Sequence, residues 1–251
     1  MTFTMPSPGI EVNQHGQIEF APVLFEGHER ARYAVGVVAI GGEVVPGLDN
    51  EFAGYALERA RRYVDEGYVD KASLNPDGTE LDDDDDRSVH FTVVENLVTG
   101  ARTMGTMRLV IKASDSGNDT LLPVERLYPE AFPKPAVPGS VEDSRLTAAA
   151  SGLTGMLFAS GVNYVLQHQL GPVYGVVKPK FTQSLNEHGV PVTPIGDARY
   201  VQEINSTKQP IRVDLAGLTS NILIGDQAAL FEEMRRSNGS GAFMFSGEVR
   251  A

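Results

Sequence analysis

The stretch Asp82-Asp83-Asp84-Asp85-Asp86-Arg87-Ser88-Val89-His90-Phe91-Thr92-Val93-Val94 decides the reading of the fold. On charge alone, five successive carboxylates are a solvated loop. Here they pass without a break into Ser88–Val94, which reads as a strand. Asn96–Arg102 follows, with Thr99-Gly100 as its turn, and Met104–Ile111 returns as the second arm of an antiparallel hairpin. Upstream, Ala34–Ile40 is rich in β-formers. Asp49–Glu66 carries Phe52, Tyr55, Ala56, Arg59, Ala60 and Tyr63 at spacings of three and four, the pattern of a helix, with Gly67 as its C′ residue. Asn75-Pro76-Asp77-Gly78 marks a turn.

Beyond the hairpin, a Pro-rich connection from Asp115 to Ser140 exceeds the usual loop length, which marks functional or mobile segments. A short strand, Val141–Leu146, leaves it. Then come a helix from Gly152 to Gln169 stopped by Gly171-Pro172, a strand Val173–Val177, and a helix opened by Lys178-Pro179 and closed by Gly189. Strands at Val192–Ile195 and Ile211–Leu215 and a helix at Asp226–Arg236 complete the chain. This order predicts an α/β (α+β) fold around a mixed, largely antiparallel sheet. Residues 1–32, with Pro6, Pro8, Gly9, Gly16 and Gly27 and one apolar stretch, Ile18–Phe25, read as an irregular arm; 33–251 read as a single domain.

The 251 residues are 41% hydrophobic and 22% charged, which excludes a disordered chain, a collagen-like repeat and a coiled coil. No apolar run approaches the ~18 residues of a membrane span. Met1–Pro6 lacks the basic-then-apolar order of a secretory signal, so the expectation is a cytoplasmic protein. The absence of cysteine excludes disulfides, thiol catalysis and thiolate metal sites. A net charge of -12 argues against nucleic acid as a partner. No His/Asp/Glu spacing suggests a metal site.

Three segments, in this order, resemble the acyl-homoserine-lactone (autoinducer) synthase branch of the GNAT acyltransferases. Asp82, Asp85 and Ser88 match an Asp-x-x-Asp-x-x-Ser pattern; Gly105-Thr106-Met107-Arg108-Leu109 is similar to a Gly-x-x-Arg-Leu/Ile strand; Glu142-Asp143-Ser144-Arg145-Leu146 is similar to Glu-x-Ser-Arg-Phe. Leu122-Pro123 to Phe132 supports them, and the resemblance spans roughly residues 48–200. It implies a GNAT-type twisted sheet with helices on both faces and a splayed central strand pair. It also implies an N-acyltransferase of the quorum-sensing type, with acyl carrier protein or acyl-CoA as donor, a small amine as acceptor and no tightly bound cofactor.

Two departures narrow the implied chemistry. The chain has no Trp, which autoinducer synthases carry in the arm that closes over S-adenosylmethionine, and Leu146 replaces the family's Phe. Both fit better with N-acyl amino acid synthases and exosortase-linked acyltransferases. Thr147-Ala148-Ala149-Ala150-Ser151-Gly152-Leu153 lacks the diphosphate-binding turn of acetyl-CoA enzymes, which favours a carrier-bound donor over free CoA.

On this reading Glu142 is either the base that takes the acceptor's proton or an Arg-paired strut between strand ends. Ser144 and Arg145 complete the catalytic set, and Asp82, Asp85, Ser88 and Arg108 form the substrate-binding set, with Asp82 and Asp85 on the acceptor's amine or its cover. Arg108 and Arg145 either organise the acidic cluster and the carrier's phosphate arm or form an ion-pair network that fixes Asp82 or Asp85 against the sheet. Strict alternation separates Glu142 from Arg145, so a single site containing both requires a bulge. Lys178 and Lys180, with Arg199, Lys208 and Arg212, are the expected docking charges for an acidic carrier. His90 reads as a satisfied strand residue and His188 as a helix-end partner. The acyl chain is expected between Val173–Val177 and the helix face with Ala159, Ser160 and Gly161. A non-catalytic acyl- or protein-binding module and a CoA-dependent N-acetyltransferase are the alternatives.

Overall fold

A computed structural model describes residues 33–97, 100–113, 121–149, 151–187, 190–217 and 243–245. The strand after the acidic run is β3 (Ser88–Leu97). Alternation sorts its side chains: Val89, Phe91 and Val93 are buried on one face and Ser88, His90 and Thr92 on the other. Around it lie β1 (Tyr33–Ile40), β2 (Glu43–Val44), helix α1 (Asp49–Asp65), β4 (Gly100–Ile111), α2 (Pro123–Leu127), β5 (Val141–Ala148) and α3 (Ser151–Gln167). Then follow β6 (Val173–Val177), α4 (Pro179–Glu187), β7 (Val192–Pro194), β8 (Arg199–Val201), β9 (Ser206–Val213) and β10 (Phe243–Phe245).

The sheet runs β10-β1-β3-β4-β5-β6-β9-β7, with β2 added on β1 and β8 on β9. Every pairing is antiparallel except β5 with β6. Those two pair only over Val141–Asp143 and Val173–Gly175, after which β5 continues to Ala148 and β6 to Val177 apart. This is the splayed pair. Leu153, Met156, Leu157 and Val165 of α3 close one face with Phe91, Met107 and Leu109 in the main core. On the other face α1 buries Tyr55 and Ala56 against Val38, and α2 buries Val124 beside Val110.

Several boundaries differ from expectation. The Asp115–Ser140 connection holds α2 and a 3-10 turn at Pro129–Ala131. Pro123 starts that helix, and Glu125 Oε2 accepts the Leu122 N–H at 2.8 Å. β5 runs to Ala148 and leaves little turn before α3 begins at Ser151. The strand expected at Ile211–Leu215 is the end of the longer β9. The short β2, β8 and β10 have too few residues to show a period. The Thr99-Gly100 turn, the arm, Gly189 and Asp226–Arg236 lie wholly or partly outside the described residues.

The crevice expected to take an acyl chain is filled. A β-carbon placed on Gly161 would stand 2.5 Å from Met107 Cε, so the methionine end occupies the space the glycine leaves. About 10 Å³ remains free among Met107, Leu109, Asp143, Phe158, Val162 and their neighbours. Asp143 Oδ1 is buried in that apolar wall with no hydrogen-bond partner, and burial alone pushes its carboxyl up to about 7.

Two stability predictions follow. At Gly105 an added β-carbon would meet the Thr147 carbonyl oxygen at 2.7 Å and Ala148 Cα at 3.1 Å, both backbone. Gly105→Ala therefore destabilises by about 1–3 kcal/mol, whereas Gly161→Ala meets a flexible methionine and costs less; urea midpoints rank the two. Asp143 has a folded value of about 7 against an ordinary 3.8, so folded-state stability is lost as pH rises between those values. Asp143→Asn removes that loss: its advantage over the parent is smallest near pH 4 and reaches about 2–4 kcal/mol above pH 7, read by denaturation across pH. A pH-independent difference contradicts the placement of this carboxyl.

Candidate functional site

The helical stripe of α1 contains one charge among apolar residues, Arg59, and it is fully buried. Its guanidinium donates to Asp85 Oδ1 at 2.7 Å, to Asp85 Oδ2 at 3.2 Å and to Glu80 Oε2 at 2.5 Å. Arg108, on β4, donates to Asp82 at 2.5 Å and to Asp85 at 3.0 Å. Arg145, on β5, reaches Glu80 at 2.9 Å and Asp82 at 3.0 Å. Three arginines from three elements thus face three carboxylates from one loop. Burial disfavours the Asp85 anion, but Arg59 and Arg108 outweigh it and hold the carboxyl well below the usual range.

The acidic run is accordingly only partly the solvated loop that charge suggests. Asp83 and Asp86 are exposed, while Asp84 is taken by Arg87 at 2.6 Å and Arg126 at 2.5 Å. Ser88 and Asp85, expected to touch substrate, are 1% and 6% exposed and sit within the wall. The Ser88 hydroxyl donates to the Asp84 carbonyl at 2.6 Å and closes the turn. Asp82 keeps a third of its side chain exposed and is the member of the pair that faces outward. His90 bridges Tyr55 Oη at 3.0 Å and the Asp85 carbonyl at 3.1 Å. The carbonyl requires an N–H on Nε2, and burial holds the ring down at about 4, so it is a neutral strut.

The bulge required by alternation is present. Arg108 pairs with Ser144 and Thr106 with Thr147, so Arg145 and Leu146 together face Met107. Arg145 takes a φ of +57°, left-handed backbone at a bulge position that usually favours glycine. The result is that Glu142, Ser144 and Arg145 share one face, while Leu146 turns to the core. The Ser144 hydroxyl accepts the Arg108 Nε–H at 3.2 Å. Arg145 lies 5.1 Å above the Tyr63 ring centroid.

Glu142 is 3% exposed. Its Oε2 accepts the Val124 N–H at 2.6 Å, a donor left free by the first turn of α2. Burial pushes the carboxyl up to about 7, against that hydrogen bond and the charges of Arg108 and Arg145. No arginine pairs with it among the described residues. At the end of β6, Lys178 Nζ stands 5.1 Å from the Tyr68 ring centroid, and Lys208 Nζ of β9 stands 4.7 Å from it. Lys180 is exposed on α4, and Arg199 lies 4.6 Å over Tyr128.

Arg59 and Glu80 were not singled out as site residues from sequence, and Lys208 was expected only as a docking charge. Arg59 had a signal, since a charge inside an apolar helical stripe demands a buried partner; Glu80 sits in an irregular segment that offers none. A hollow of about 550 Å³ between α1 and β4, walled by Glu51, Gly54, Glu58, Arg61, Arg102 and Thr103, holds none of these groups. Among the described residues no cluster of three His, Asp or Glu is placed to hold a metal, and no helix is long and apolar enough to cross a membrane.

No family model and no curated relative matches the chain. Solved structures do. The acyl-homoserine-lactone synthase LasI covers 78% of this chain and 98% of its own at TM-score 0.57 and 15% identity. The CoA-dependent acyl-homoserine-lactone synthase BjaI, with SAM and isopentyl-CoA, covers 79% and 99% at TM-score 0.56 and 19% identity. FeeM, an N-acyl amino acid synthase from uncultured soil microbes, covers 78% and 99% at TM-score 0.51 and 15% identity. The chain has the fold shared by acyl-homoserine-lactone synthases and this N-acyl amino acid synthase.

Proposed function

We propose that the protein is an N-acyltransferase that moves an acyl group from a thioester to the amine of a small acceptor, by direct attack. The observation that carries this is Glu142: a buried carboxyl near neutrality, free of an arginine partner, on the same face as the bulged Arg145 and beside the β5–β6 splay. The acceptor ammonium gives its proton to Glu142, directly or through water. Its nitrogen lone pair then bonds to the thioester carbonyl carbon, the C–S bond breaks, and the leaving sulfur takes up, as thiol, the second proton that the nitrogen sheds in becoming the amide. Ser144 and Arg145 position the reacting groups, and Asp82, partly exposed, faces the acceptor. The wall of Arg59, Arg108, Asp85 and Ser88 holds them in place.

The donor is acyl carrier protein or acyl-CoA, and a supply of such thioesters implies a cytoplasmic setting. The segment from Thr147 to Leu153 lacks a diphosphate turn, which favours the carrier. Of the two docking lysines expected from sequence, Lys180 is exposed and suited to an acidic partner, whereas Lys178 turns inward to Tyr68. An acyl tail entering beside α3 displaces the Met107 end from the space above Gly161, a motion an unbranched side chain permits.

The test is thiol release from acyl-carrier proteins and acyl-CoAs in the presence of pooled amino acids and S-adenosylmethionine, with products read by mass. Amine-dependent release is expected, falling about 10²–10⁴-fold in Glu142→Gln. Because the base must be ionised, kcat/KM falls as pH drops below about 7, and Glu142→Gln abolishes that limb. Release that ignores the amine, or survives Glu142→Gln undiminished, overturns the assignment. Lys180→Glu raises KM for the carrier while leaving KM for acyl-CoA unchanged.

A further inference from the structure

A buried lysine stands within reach of two buried carboxylates on the sheet face of Glu142. Lys112 follows the last residue of β4, and its N–H donates to the Ser140 carbonyl at 2.9 Å, so the ladder with β5 continues through it. Val110 lies opposite Glu142 in that ladder. Alternation places Lys112, two residues on, on the face of Val110 and Glu142, diagonal to the glutamate. Side chains this long meet across such a diagonal. The Lys112 ammonium nevertheless goes elsewhere: it donates to Glu125 Oε2 of α2 at 2.7 Å, and both partners are buried.

That contact is one of three on the Glu125 carboxylate. Oε2 also accepts the Leu122 N–H at 2.8 Å, and Oε1 accepts the Ala136 N–H at 2.7 Å. One side chain thus ties the end of β4 to both ends of the 122–136 segment. The Val124 N–H, in the same segment, is the donor that Glu142 accepts at 2.6 Å. The other charges acting on Glu142 are Arg108 of β4, Arg145 of its own strand, Asp84 of the acidic run and Arg126 of α2; from β6 it meets Tyr174. None of these cations forms an ion pair with it among the described residues. An ammonium held against Glu142 would favour its anion and make it a weaker base.

We propose that Glu125 is a positioning residue for Glu142: it holds the Lys112 ammonium off that carboxyl and the Val124 N–H on it. Its part in turnover rests on the acyl-transfer reading; its effect on the Glu142 proton does not. A lysine needed only to brace the strand ends could bridge Glu142 directly and leave one buried charge fewer. The fold instead buries a second carboxylate to take the ammonium, and the result is an unpaired Glu142. Nor does α2 need the ion pair to stay on the sheet. Leu122 and Val124 already pack with Val110 and Tyr128 in an apolar cluster, so the work left to the Glu125 charge is electrostatic.

The Glu142 carboxyl is titrated first, by carbon NMR of glutamate-labelled protein, because this does not depend on turnover; its signal is the one missing from Glu142→Gln. The parent midpoint is expected near 7. In Glu125→Gln the freed ammonium turns to Glu142, and the midpoint falls by about one pH unit or more. Adding Lys112→Met to that variant returns it to the parent value or higher. Glu125→Asp keeps the charge but draws it back by one methylene; it lowers the midpoint less, and stands in for Glu125→Gln should that chain not fold. In turnover, the acid limb of kcat/KM moves with the midpoint, and the plateau falls about threefold to tenfold in Glu125→Gln, both recovered by Lys112→Met. An unchanged midpoint beside a lowered Tm makes Glu125 a structural brace and overturns the proposal, as does a fall that persists without Lys112. Midpoints that move as stated in a protein with no acyl transfer keep the role of Glu125 and sink the catalytic reading instead.

Discussion

Everything at the site depends on the carboxylate of Asp85 being buried between Arg59 and Arg108. A buried charge without a partner costs several kcal/mol, and removing one member of such a pair costs about 3–5 kcal/mol. The chain meets that constraint by drawing α1, β4 and the loop before β3 to a single point. Glu80 and Asp82 extend the network to Arg145 on β5, so four segments are registered by charge as well as by packing. Such a network contributes little net stability compared with an apolar core; its effect is to allow few other arrangements.

The second constraint acts on the backbone. A regular β5 would send Glu142 and Arg145 to opposite faces. The left-handed residue at Arg145 inserts one extra position, and the three arginines keep it there. The strain of that residue, of order 1 kcal/mol or more, is offset by two carboxylates and a tyrosine face. The same strand parts from β6 after Asp143, which opens the sheet beside the groups the bulge has collected. Positioning and access thus come from two departures from regularity within a few residues of one strand.

Sequence reading recovered the elements whose period is long: α1, the β3–β4 hairpin, α3, and the β6–α4 unit with its proline. It also required the bulge, because the conflict between alternation and a shared site is visible in Glu142-Asp143-Ser144-Arg145 alone. An ion-pair network of Arg108 and Arg145 with Asp82 or Asp85 was among its readings and is present, but the fate of each separate charge was not legible. Five aspartates in a row look alike as letters, yet two are solvated, one is held by Arg87 and Arg126, and two by buried arginines. Apart from Arg87, three residues from Asp84, the partners lie more than 20 residues away in the chain, and no local pattern encodes those contacts. Lys208 was read as a surface docking charge for the same reason; only the β6–β9 register brings it to Tyr68.

Glu142 and Asp143 show how far neighbours in sequence can differ in chemistry. Both are buried, and burial pushes both up to about 7. Glu142 accepts a backbone N–H and feels the charges of Arg108 and Arg145, so its anion has support. Asp143 faces Met107, Leu109 and the apolar side of α3, where ionisation gains nothing. A shifted carboxyl is therefore not by itself a base. The sheet divides a wet, charged face from a dry one, and a one-residue step along β5 crosses that boundary. Chemistry belongs to the face where the shift is accompanied by groups that respond to the proton's departure.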